Sequence, residues 1–135
     1  MIRSKIKSYA KINQALNVIG KKKSLHNIES IVRFIDLHDV ISISEYKGKN
    51  HKISFYGKFS KNISKNNTVE KLLNLLDQKN LLKNKKFKLR IKKNIPQKAG
   101  LGGGSMNAAT LLNYLIKKKI INVSLRKIKS ICDFI

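Results

Sequence analysis

The first half of the chain alternates apolar and polar residues, and the second half shifts to the period of a helix. Ile2 to Ser8 alternates, and Ile12 to Ile19 continues with further apolar positions, which predicts two short strands around Ala10-Lys11-Ile12-Asn13. Ile28 to Leu37 and Val40 to Glu45 predict a second strand pair; Val40-Ile41-Ser42-Ile43-Ser44 is β-branched at alternate positions, as a half-buried strand requires. His51 to Tyr56 and Phe87 to Ile91 are further strand candidates. Asn67, with Glu70 three residues on, forms a capping-box pattern, and Val69, Leu72, Leu73 and Leu76 follow at helical spacing, so a helix is expected from Thr68 to Lys79. Ala108, Ala109, Leu111, Leu112, Leu115 and Ile116 predict a second helix. Ser124 can cap a third, in which Leu125, Ile128 and Ile131 share a face. With no repeat and no linker, these elements predict one α+β domain with helices packed on a mostly antiparallel sheet.

Between the last strand and the second helix, glycines occupy positions 100, 102, 103 and 104. They let the backbone take positive φ and remove Cβ atoms, so that several N–H groups can converge on an anion. The segment then enters a helix N-terminus, where unsatisfied N–H groups and the macrodipole favour phosphate. Ser105 adds a hydroxyl and Lys98 a charge. As a mere flexible turn, such a run of glycines would weaken the fold with no packing return. Two familiar phosphate loops are excluded. A P-loop ends in Gly-Lys-Ser/Thr, whereas Gly104 is followed by Ser105 and Met106; a dinucleotide fingerprint needs glycine where Ser105 stands and an acidic residue about twenty positions on.

Composition adjusts this picture only in part. Apolar residues make up 41% of the chain, ordinary for a globular domain, and no apolar run approaches membrane-spanning length. A soluble, cytoplasmic protein without a membrane partner is expected. Cys132 is the lone cysteine, and His26, His38 and His51 lack metal-ligand spacing, so neither a disulfide nor a structural metal is expected. The net charge of +23 raises a nucleic-acid partner. Against it, the lysines are dispersed over every segment, and only Arg3, Arg33, Arg90 and Arg126 offer the forked guanidinium suited to base recognition. No specific nucleic-acid partner is expected.

The segment Pro96-Gln97-Lys98-Ala99-Gly100-Leu101-Gly102-Gly103-Gly104-Ser105-Met106, continued by Asn107-Ala108-Ala109, resembles the phosphate loop of the GHMP kinases, the family of galactokinase, homoserine kinase, mevalonate kinase and phosphomevalonate kinase. Within the family it looks most like members whose acceptor is a cytidine-diphosphate-linked methylerythritol, in non-mevalonate isoprenoid (terpenoid) biosynthesis. Ala10-Lys11-Ile12-Asn13 resembles their N-terminal strand motif; His26, Phe34-Ile35-Asp36 and Asp39-Val40-Ile41 resemble their substrate-side strands.

The resemblance implies a GHMP kinase N-terminal domain over residues 1–135, an ATP-dependent phosphotransferase with ATP and Mg²⁺ as cofactors and a small-molecule alcohol, its 2-hydroxyl, as acceptor. Residues 96–106 would bind ATP. Lys11 would be catalytic, beside the attacking hydroxyl, Asn13 would hold the acceptor and His26 would contact the cytosine. Leu25, Val32 and Met106 depart from the family's Tyr, aromatic and Ser. The family's catalytic Asp lies in a Gly-x-Asp-x-Pro segment after the helix that Ser124 opens. The resemblance therefore implies a portion that stops before that segment and before the C-terminal domain, inactive by itself, and Asp133 is not given the role. Another GHMP kinase, or a basic RNA-binding domain of related fold, remains the alternative.

Overall fold

The computed structural model describes residues 3–135, so the predicted start of the first strand at Ile2 lies outside the described residues. The element order is β1 (Arg3–Lys22), β2 (Leu25–Tyr46), β3 (Lys52–Tyr56), α1 (Thr68–Gln78), β4 (Lys86–Lys92), α2 (Gly103–Lys117) and α3 (Leu125–Phe134). The four strands form one sheet in the order β1-β2-β4-β3. β1–β2 and β2–β4 are antiparallel, while β3 and β4, joined through α1, run parallel. The expected α+β class and mostly antiparallel sheet are therefore observed.

The four short strands expected before residue 46 are in fact two long ones, paired as a single hairpin whose turn is Lys23 and Ser24. The ladder survives the irregular residues because register shifts between Tyr9 and Lys11, Asn13 and Ala15, and Val18 and Gly20 absorb them without ending the pairing. His51, expected to open β3, lies just before it.

Period-two alternation gives the sheet two unlike faces. Ile41, Ile43, Phe87, Leu89 and Ile91 are buried on one, under Val69, Leu72 and Leu76 of α1 and Leu111, Leu112 and Leu115 of α2. α2 is also fastened to β1 by polar contacts, Tyr114 Oη donating to Ser4 Oγ at 2.7 Å and Thr110 Oγ1 to Ser8 Oγ at 3.3 Å. Asn67 caps α1 as predicted, its Oδ1 accepting the Glu70 N–H at 3.0 Å. Ser124 caps α3, accepting the Lys127 N–H. The expected shared face of α3 is only partly packed: Ile131 is buried and Ile128 half-buried, but Leu125 is 85% exposed, because the first turn projects past the core.

Candidate functional site

After β4 the chain is held to the neighbouring strand, Lys93 N–H donating to Tyr56 O at 2.7 Å, and then turns through Ile95 and Pro96 into the glycine segment. Lys98, Gly100 and Gly102 take positive φ, and Gly102 is the N-cap of α2 in the left-handed region. No side chain caps this helix and no acidic residue stands in its first turn. The first helical bond runs from Met106 N–H to Gly102 O at 2.8 Å, which leaves the amides of Gly103, Gly104 and Ser105 without a helical acceptor. Three adjacent bare donors at the positive end of a fifteen-residue helix make a place that favours an anion.

Lys11 comes to the same place from β1. Its N–H donates to Leu101 O at 3.1 Å, and its side chain lies across Gly102, where an added Cβ would come within 2.9 Å of Cε. The loop and Lys11 thus form one structure, stitched by a backbone bond and by a glycine that the lysine stem covers. The cleft in front has a volume of about 450 Å³ and is walled on its far side by Phe55, Ile63, Ser64, Asn66, Asn67 and Thr68. Three hydrogen bonds from two side chains tie the walls of the cleft together. Thr68 Oγ1 donates to Gly104 O at 2.7 Å, and Gln97 Nε2 donates to Phe59 O and Lys61 O at 2.9 and 2.7 Å. The Gln97 amide is therefore committed to holding the wall, with only its carbonyl oxygen free for a ligand.

Asn13 is exposed two residues beyond Lys11, with Oδ1 accepting from Ser30 Oγ at 2.9 Å. His26 stands elsewhere. It pairs with Lys21 beside the hairpin turn, while Lys11 pairs with Phe34, so ten positions of β1 separate the two. At extended-strand rise that is about 33 Å. The structure brings Lys11 against the loop at Leu101 and Gly102, leaves Asn13 bonded to Ser30 on the neighbouring strand, and leaves His26 at the hairpin tip.

Asp39 was read only as part of a substrate-side strand motif and Lys93 was given no role, yet the two form an ion pair at the loop, Lys93 also lining the cleft. Asp39 is fully buried, and its carboxylate is ion-paired with Lys93 Nζ. It also accepts from Asn94 N–H at 2.7 Å, Ile95 N–H at 2.9 Å and Asn107 Nδ2 at 3.0 Å. Its one sequence signal was a rare carboxylate set directly before a β-branched strand. Asn67 and Thr68 were read only as a helix start, yet they also wall the cleft.

Residues 67–132 match the family described as the GHMP kinases N terminal domain. The chain is 64% identical, over 96% of its length and 46% of the relative's, to a 4-diphosphocytidyl-2-C-methyl-D-erythritol kinase of Pelagibacter ubique (strain HTCC1062). It is 38% identical, over 94% of its length and 44% of the relative's, to the protein of that name in Clostridium perfringens (strain 13 / Type A). It spans just under half the length of these relatives. Among solved structures, that of a 4-(cytidine 5'-diphospho)-2C-methyl-D-erythritol kinase superposes with a TM-score of 0.72 at 21% identity, covering 96% of this chain and 45% of that one. A homoserine kinase from Cytophaga hutchinsonii superposes with a TM-score of 0.59 at 17% identity, covering 95% and 39%. At such identities the superpositions speak for the fold.

Proposed function

We propose that this chain, whose residues 67–132 match the GHMP kinases N terminal domain, binds ATP at the α2 N-terminus and serves phosphorylation of the 2-hydroxyl of 4-diphosphocytidyl-2-C-methyl-D-erythritol, a cytoplasmic step of isoprenoid biosynthesis. The observation that carries the reading is the set of bare amides of Gly103, Gly104 and Ser105, in a loop that lines the cleft and whose Gly102 lies against the Lys11 stem. The amides and the helix dipole hold the phosphates without reorganising as charge moves in the transition state. The Lys11 ammonium, next to the loop, stabilises the oxygen of the attacking alcohol and the charge that spreads over the transferring phosphoryl group. Asn13, on the same stretch of β1, orients the acceptor.

ATP brings Mg²⁺ as its counter-ion, and the metal would neutralise the phosphates. Among the lining residues, neutral oxygens such as that of Ser105 would meet it; no carboxylate lines the cleft, and the described residues contain no cluster of three His, Cys, Asp or Glu. The described residues offer no metal cage. The same lack of a carboxylate leaves the alcohol's proton without an acceptor among the lining residues. The 135 residues alone are therefore expected to bind nucleotide and not to turn over.

Calorimetry with ATP, and a coupled assay with 4-diphosphocytidyl-2-C-methyl-D-erythritol on this chain and on one extended to the relatives' length, test the reading. ATP binding by both and transfer by the longer one alone are expected. Lys11→Ala in the longer chain should lower turnover by a factor on the order of a hundred or more. Unimpaired Lys11→Ala would remove Lys11 from the chemistry, and full activity from the short chain would place a proton acceptor within it.

A further inference from the structure

One buried side chain touches both ends of the glycine loop, and we propose that Asp39 is a positioning residue for the phosphate site, a role that rests on the nucleotide reading above. Oδ1 of Asp39 accepts the Asn94 and Ile95 amides, the two that immediately precede Pro96. Oδ2 accepts from Asn107, one turn into α2, and pairs with Lys93. The segment Pro96–Met106 thus starts and finishes on one carboxylate, and that carboxylate belongs to β2 in the middle of the sheet. The bare amides of Gly103 to Ser105 are held relative to the sheet, and with it to Lys11 on β1.

The chemistry of the cluster fits positioning better than stability alone. A buried ion pair adds little over well-packed apolar residues of the same volume, because desolvation consumes its Coulomb energy. What apolar residues could not do is accept two backbone N–H groups and one amide along set directions. Lys93 has its own part. A lone carboxylate behind the α2 N-terminus would repel an incoming phosphate, and the Lys93 ammonium cancels it. That ammonium sits 3.4 Å from where a Cβ on Gly103 would lie. Asn107 is 2% exposed, and because its Nδ2 donates to Asp39, its Oδ1 is left without a partner. No other side-chain bond of Asn107 competes with Asp39 for its orientation.

Removing Asp39 alone would strand the Lys93 charge, so the decisive variants change both. Asp39→Ala/Lys93→Met deletes the acceptor. Asp39→Asn/Lys93→Met removes the charges but keeps an oxygen for the Asn94 and Ile95 amides, and its new NH₂ can meet Asn107 Oδ1 once that amide turns. The readouts are hydrogen exchange of the amides at 94–106 without nucleotide, and ATP affinity by calorimetry, both on the full chain. For the Ala variant, faster exchange confined to that segment and ATP binding weaker by about ten-fold or more are expected. The Asn variant should restore exchange and bring affinity back within about three-fold of the parent.

Unchanged exchange in a folded Ala variant would overturn the proposal. So would a folded Asn variant as impaired as the Ala one. If the Ala variant does not fold, the Asn variant decides: retained protection and affinity uphold the clamp, and their loss in a folded protein sinks it. Should the parent bind no ATP at all, the nucleotide reading fails, and the exchange comparison alone decides whether Asp39 holds the loop.

Discussion

Gly102 carries two constraints at once. Its φ is +68°, and any Cβ there would press on the Lys11 stem at 2.9 Å. Gly102→Ala is therefore expected to cost about 1–2 kcal/mol in backbone strain and to push Lys11 off the loop, lowering ATP affinity about ten-fold or more by calorimetry. Gly20→Ala is the control, since a Cβ there meets only Asn27 at ordinary contact distance, 3.5 Å at the nearest. Gly57 would be a poor control although it lies outside the loop, because its φ is +98° and its Cβ would crowd the Lys93 backbone. His51 makes a separate residue-scale prediction. It stacks on Phe87, its Nδ1 accepts the Phe87 N–H at 3.1 Å and its Nε2 bonds Asp77. Burial, with help from Lys86, holds its pKa below the ordinary imidazole value, against the opposing pull of Asp77. Below about pH 6.5 the unfolded chain takes up a proton that the folded chain refuses. Stability should be full above that pH and decline beneath it, by at most about 1.4 kcal/mol per pH unit. Urea midpoints between pH 7.5 and 5 would show the slope, and His51→Gln should flatten it; a parent whose midpoint is flat across this range would contradict the assignment.

Among the elements, α1 and α2 were legible because each has a local signature. Asn67 with Glu70 marks one start, and glycine running into Ala108 and Leu111 marks the other. Asn67→Ala should cost about 1 kcal/mol in equilibrium unfolding, the usual value of an N-cap. Because Asn67 also walls the cleft, ATP affinity should fall with it; a stability loss that leaves affinity untouched would limit Asn67 to its capping role. The hairpin was less legible. Alternation suggested strands but could not tell a chain end from a bulge, so one ladder of β1 and β2 read as four pieces. Nor could alternation say what covers a face: Leu16, Val18, Ile28, Ile31 and Phe34 fit a buried pattern and are exposed. Leu125 of α3 is a similar case.

At the scale of the molecule, the charge that looked dispersed along the chain is concentrated by the sheet. Register aligns Arg3, Lys88 and Lys52 in one cross-strand row, Lys5 and Arg90 in the next, and Lys7 and Lys92 in a third, all exposed on the face away from the helices. Polyanions should bind this face weakly and without sequence preference, with affinity falling steeply between low and physiological salt in a filter or anisotropy titration. Sequence-selective RNA binding that persists at physiological salt would favour the nucleic-acid alternative over the kinase. No helix among the described residues is long and apolar enough to cross a membrane. The sequence by itself determined the helices, the class and the glycine loop, because periodicity, caps and glycine spacing are local properties. Only the tertiary structure decided that Lys11 lies on Gly102, that Asp39 reaches both ends of the loop and that His26 stands far from both. Those depend on pairing register and on contacts between residues distant in the chain, which no local pattern encodes.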